Sequence, residues 1–103
     1  MPSATYNLFR RAILQRKQIL CTYQAFYRET CPYTLGYRHG QEKALVFQFA
    51  GESSQRLPPA GEWRCFFLRE VCEPVIRDGA WHGGGGHSRP QTCVDEIDVD
   101  VGF

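Results

Sequence analysis

Five side chains in the first two-thirds of the chain have the types needed to recognise a phosphate-bearing ligand: Tyr23, Arg28, Tyr33, Arg38 and Arg64. Arginine presents a planar fork of donors that matches phosphate oxygens, and tyrosine offers a flat face on which a base stacks. Aromatic residues interleaved with arginines on a small β-rich domain are what binding of a single strand requires. The same residues also have a purely structural reading, with tyrosines packed in the core or rim and arginines solvated.

Two other sets invite chemistry. His82, His87 and Cys93 are zinc-ligand types, but the spacing His-x4-His-x5-Cys matches no standard finger, and Gly83 to Gly86 would make a loose ligand loop. The expectation is exposed histidines with no metal and no cofactor. Cys31, Cys65 or Cys93 could pair with a histidine as nucleophile and base, and Asp95, Glu96 and Asp98 could hold a hydrolytic metal. Neither set has a motif around it. Acids spaced along a terminal strand more readily form a solvated face or an edge that resists aggregation. No Gly-Lys-Ser/Thr follows the four glycines, so they are not a phosphate loop. These residues point to a binding module rather than a self-sufficient enzyme.

The elements that must carry these residues are legible in outline. Residues 5–17 read as one helix, with Ser3 or Thr5 as its cap and Leu8, Phe9, Ala12 and Ile13 as an apolar stripe. Leu14 lies off that stripe. From Ile19 to Tyr27 the residues are β-prone and form a first strand. Arg28-Glu29-Thr30 either turns the chain or continues it. Cys31 to Tyr37 is a second extended segment, and Arg38-His39-Gly40-Gln41 supplies hairpin chemistry. Ala44 to Ala50 is the most apolar strand and should be central. Gly51–Gly61 and Trp81–His87 read as loops. Trp63–Leu68 is a fourth strand, Val71–Ile76 is a short strand or a helical turn, and Val94–Val101 is a half-exposed terminal strand. The chain is therefore mainly β with one N-terminal helix, a single domain over residues 1–103. A small Sm-like or SH3-like barrel of about five strands within residues 18–101 fits this pattern.

Composition narrows the class. A hydrophobic fraction of 43% and an aromatic fraction of 14% are too high for a disordered chain. The formal net charge is only +1, but it is unevenly spread. Arg10, Arg11, Arg16, Lys17, Arg28 and Arg38 lie early, while Asp95, Glu96, Asp98 and Asp100 lie late. If both groups stay on the surface, the domain has a basic side and an acidic side. The cysteines are odd in number and several sit in apolar runs, which suits free thiols in a reducing cytoplasm. No apolar stretch approaches the roughly 20 residues needed to span a membrane. The aromatic content also allows an exposed protein interface or a homodimer.

Several of these segments together resemble a WYL domain. The opening helix runs into a strand carrying Tyr23, with Arg28 beyond it. Cys31-Pro32-Tyr33-Thr34-Leu35-Gly36 resembles the family's pattern after its first hairpin. Leu45-Val46-Phe47 stands where the family usually carries Trp-Tyr-Leu, so Leu45 and Val46 replace the name-giving pair. Trp63 to Val71 resembles the family's arginine-bearing strand. The resemblance spans roughly Leu8 to Val71. It implies a stand-alone Sm-like barrel that senses a ligand, often nucleic acid or a nucleotide, as in bacterial regulators and phage-defence systems. The family's ligand-contacting positions would fall on Tyr23, Arg28, Tyr33 and Arg64. The alternative is a protein-interaction subunit of a larger assembly that binds no nucleic acid.

Overall fold

A computed structural model describes residues 2–53, 57–83 and 93–101. Helix α1 spans Ala4–Gln15 and is followed by strands β1 (Gln18–Tyr23), β2 (Phe26–Arg38), β3 (Gln41–Gly51) and β4 (Glu62–Phe67). A 3-10 turn, Leu68–Glu70, leads into β5 (Val71–Arg77), and β6 (Glu96–Asp100) closes the described chain. The fold is mainly β with one N-terminal helix, and the strands form one open antiparallel sheet of six rather than about five.

The helix begins where Ser3 Oγ accepts the Tyr6 amide at 3.1 Å. It ends earlier than its periodicity suggests because Arg16 turns left-handed, with φ 52°. The Lys17 amide then folds back onto Ala12 O at 2.8 Å. Tyr6, Phe9, Ala12 and Ile13 are buried on one face, and Leu14 is 65% exposed, as its position off the stripe requires.

The long strand β2 organises the sheet. β3 pairs along one side of it, while β1 and β6 share the other. The path runs β4-β3-β2-β1-β5. The most apolar strand, β3, has neighbours on both sides, but β2 is the hub. The first hairpin turns at Gln24-Ala25, whose φ values are 50° and 70°, and Arg28-Glu29-Thr30 continues the strand. Two consecutive left-handed residues give the turn whose twist matches a hairpin. Neither is glycine, which is why composition did not mark it. The turn at His39-Gly40 falls where expected, with φ values of 51° and 76°.

Three residues link β4 to β5, the two ends of the sheet path, so the sheet must curl sharply there. Tyr23 of β1 and Phe66 of β4 stack with centroids 4.0 Å apart, and the Phe67 amide donates to Tyr23 Oη at 3.0 Å. The concave face carries the main core, including Ile19, Cys21, Tyr23, Leu35, Val46 and Phe66, with α1 packed against it. A second cluster of Cys31, Tyr33 and Phe47, flanked by Phe49, Trp63 and Trp81, forms on the other face. Segment 78–83 crosses that cluster: Tyr33 Oη donates to His82 O at 2.7 Å, and Gln18 Nε2 donates to Ala80 O at 2.7 Å. Gly83 approaches so closely that a Cβ there would collide with the Tyr33 hydroxyl.

Two sequence expectations are corrected. Cys65 and Cys93 form a disulfide with their Cα atoms 5.7 Å apart, whereas Cys21, Cys31 and Cys72 remain free. Apolar neighbours do not prevent pairing when the fold brings the segment ahead of β6 against β4, and the bond removes the cysteine argument for a reducing compartment. The basic and acidic ends also do not form opposite sides. Asp98 lies 2.6 Å from Arg10 Nη1, and Asp95 lies 3.8 Å from Arg38 Nε, because β6 returns beside β2 under α1. Among the described residues no helix is long and apolar enough to cross a membrane.

Candidate functional site

Strand alternation places Arg28, Thr30 and Gln48 on the concave face at one end of the sheet, with Arg64 beside them. Arg28 is only 5% exposed. Its guanidinium lies among three rings, with Cζ 5.3 Å from the Tyr23 centroid, 5.7 Å from Phe66 and 5.8 Å from Phe26. Nε donates to Tyr23 O at 3.3 Å and Nη1 to Gln48 Oε1 at 3.1 Å; neither bond uses Nη2. The Gln48 amide is itself fixed, because its Nε2 donates to Ala50 O at 3.2 Å and to Glu52 O at 2.9 Å. Its oxygen is thereby left to face the guanidinium.

Among the described residues Arg28 has no carboxylate within ion-pair distance. Burial lowers its pKa, and the neighbouring Arg64 charge lowers it further. Arg64 Nη2 lies 2.9 Å from a Glu62 oxygen. Even so, Arg64 Nε and Nη2 are buried, and among the described residues neither aims an N–H at an acceptor. The proximity to Glu62 is therefore an ion pair without a well-directed hydrogen bond. Both arginines line a cavity of about 380 Å³ together with Tyr23, Ser53, Trp63 and Phe67. Two guanidiniums facing one cavity, with Glu62 the one carboxylate in ion-pair reach of them among the described residues, suit an anionic occupant.

The structure thus brings together Tyr23, Arg28 and Arg64 and separates the other two expected residues. Tyr33 packs on the opposite face against Trp63 and Trp81, with centroids 4.8 and 5.1 Å away. Arg38 lines a separate cavity of about 210 Å³ with His39, Gln41, Lys43 and Phe67. Gln48, Trp63 and Phe66 belong to the surroundings of the site and were not singled out from sequence. Gln48 carried a signal, since it is the polar residue interrupting the most apolar strand.

The remaining candidate chemistry is dispersed. Cys93 is committed to the disulfide, His87 lies outside the described residues, and the His82 ring stacks on Phe49 with centroids 4.1 Å apart. Among the described residues no three His, Cys, Asp or Glu side chains converge as a metal site. Cys31 is fully buried, and burial raises its pKa, which disfavours the thiolate. Asp98 accepts from the Tyr6 hydroxyl at 2.7 Å and from Arg10 at 2.6 Å, so its carboxylate is tied to the helix. A scan against family models found no match, and neither characterised proteins nor solved structures returned one.

Proposed function

We propose that this chain is a WYL-like regulatory module whose curled sheet acts as a small Sm-like barrel and binds a phosphate-bearing ligand, a nucleotide or nucleic acid, through Arg28 and Arg64. The observation that carries the reading is Arg28, a buried guanidinium with no carboxylate partner among the described residues, facing a second arginine across one cavity. Burying an ion without a counter-charge costs several kcal/mol, and an anion in the cavity offsets that cost. The Tyr23 ring backs the Arg28 guanidinium from within the core. The curl between β4 and β5 behind an N-terminal helix supports the barrel reading.

The test is binding of the purified protein to labelled single-stranded DNA, single-stranded RNA, duplex DNA and mononucleotides at low and moderate salt. The expected result is salt-sensitive binding that Arg64→Gln weakens by about tenfold, the value of one charge-assisted contact, without a change in fold. An absence of binding at low salt, or equal affinity in the variant, would sink the assignment.

A second reading, a protein-interaction subunit, draws on Val75 of β5 and Ile97 of β6, each 55% exposed. Two acids of the terminal segment, Asp95 and Asp98, are already engaged by Arg38 and Arg10.

A further inference from the structure

We infer that the anion site continues past Phe67 into a second cationic subsite made by Lys43, Arg69 and the Arg38-His39 corner, and that the ligand class fitting both is a single-stranded nucleic acid rather than a lone phosphate group. The inference rests on the Arg28–Arg64 reading above and extends it to Lys43 and Arg69, which neither the motifs nor the resemblance singled out, with Arg38 beside them.

Among the described residues Phe67 is the one common to the cavity of about 380 Å³ and the cavity of about 210 Å³, so the two adjoin across it. It is held firmly at the end of β4: it pairs with Lys43 across the β3–β4 ladder, and its amide donates to Tyr23 Oη at 3.0 Å. Its ring gathers two cations, with Lys43 Nζ 4.3 Å and Arg69 Cζ 5.2 Å from the centroid. Cation–π contacts of this kind orient a charge without neutralising it. Among the described residues neither Lys43 nor Arg69 has a carboxylate within 4.0 Å. Among the described residues the acids that approach the track are Glu62 at Arg64, Asp95, at 3.8 Å, at Arg38, and Glu70, whose Oε1 accepts from Gln24 Nε2 at the rim of the first cavity and whose charge reaches Tyr23.

Positive charge therefore runs from Arg28 and Arg64, past Phe67, to Lys43, Arg69 and Arg38, in excess of the carboxylates along it. A single phosphate would occupy only the first cavity. A chain of phosphodiesters satisfies both, and the planar guanidinium forks suit phosphate better than isolated carboxylates.

Fluorescence anisotropy with thymidine mononucleotide and oligothymidylates of increasing length tests this on the wild type, the Lys43→Gln/Arg69→Gln double variant and Arg64→Gln. The expected wild-type behaviour is a gain of about tenfold or more from mononucleotide to short oligomer. The double variant should lose that gain, keep mononucleotide affinity, and show a salt slope shallower by about 1.4, at about 0.7 for each single-strand phosphate contact. Arg64→Gln should weaken both ligands. Equal oligomer affinity and an unchanged slope in the double variant would overturn the second subsite while leaving the Arg28–Arg64 site standing. If neither mononucleotide nor oligomer binds, both readings fail. A polyglutamate peptide that binds as tightly as the oligomer overturns the ligand class.

Discussion

Arg28 is the residue on which the functional argument turns. In an ordinary structural role a buried arginine would be paired, and removing it would leave an orphaned carboxylate at a cost of about 3–5 kcal/mol. Here its partners are neutral: Tyr23 O, Gln48 Oε1 and the faces of three rings. Arg28→Met removes the desolvated charge and keeps much of the volume, but it leaves the Gln48 oxygen without its donor. These effects oppose each other, so the ligand-free variant should unfold in urea within about 1 kcal/mol of the wild type. A loss above about 3 kcal/mol would show that the arginine is needed for folding rather than held for a ligand. The aromatic and arginine types of this site were readable from sequence, because burying a cation among rings needs those side chains. Its membership was not, because Tyr33 and Tyr23 look alike in the chain and face opposite sides of the sheet.

At the scale of elements, β6 depends most on connections made elsewhere. It is a five-residue strand that pairs with the second half of β2, and Gly36 of β2 permits the close approach, since a Cβ there would meet the Glu96 carbonyl and lie 2.6 Å from Val94 Cγ1. The Cys65–Cys93 disulfide, closing a separation of 28 residues, anchors the segment entering β6 to β4. A cross-link over a loop of that length stabilises by about 3–4 kcal/mol in the chain-entropy treatment. Reduction, or Cys65→Ser with Cys93→Ser, should therefore lower the Tm by more than about 10 °C, as followed by circular dichroism. An unchanged Tm would mean that β6 is held by its ladder and by α1 alone. The strands themselves were legible through apolar and β-branched runs. The first turn was misplaced because Gln24-Ala25 takes left-handed geometry under the pull of the β1–β2 ladder, without the glycine or asparagine that usually marks it.

For the molecule as a whole, charge separated along the chain is brought together in space. Asp98 binds Tyr6 and Arg10 across sequence separations of 92 and 88 residues. Its carboxyl is held below the ordinary aspartate range, first by the Tyr6 hydroxyl and then by Arg10. A depressed carboxylate pKa stabilises the fold above its unfolded value, near pH 4, and that stabilisation is lost as the pH falls through the folded value. Tyr6→Phe should cost about 1 kcal/mol, roughly 5 °C in Tm, between pH 5 and 8. The gap to the wild type should narrow below about pH 4. A gap that stays constant into acid would assign the loss to packing instead.

The chain's composition and periodicity alone determined a mainly β domain with one leading helix, the approximate strand positions, the second hairpin turn and the basic–aromatic character of the first two-thirds. These follow from local rules: side-chain alternation, helical spacing and turn chemistry act over a few residues and leave their mark in the sequence. Only the tertiary structure decided that β1 and β6 share one side of β2, that Cys65 meets Cys93, that Asp98 of the acidic end pairs with Arg10 of the helix, and that Arg28 and Arg64 face one cavity while Tyr33 and Arg38 do not. Each of these depends on contacts between residues far apart in the chain, and they are set by the curl of the whole sheet, which no short window of sequence encodes.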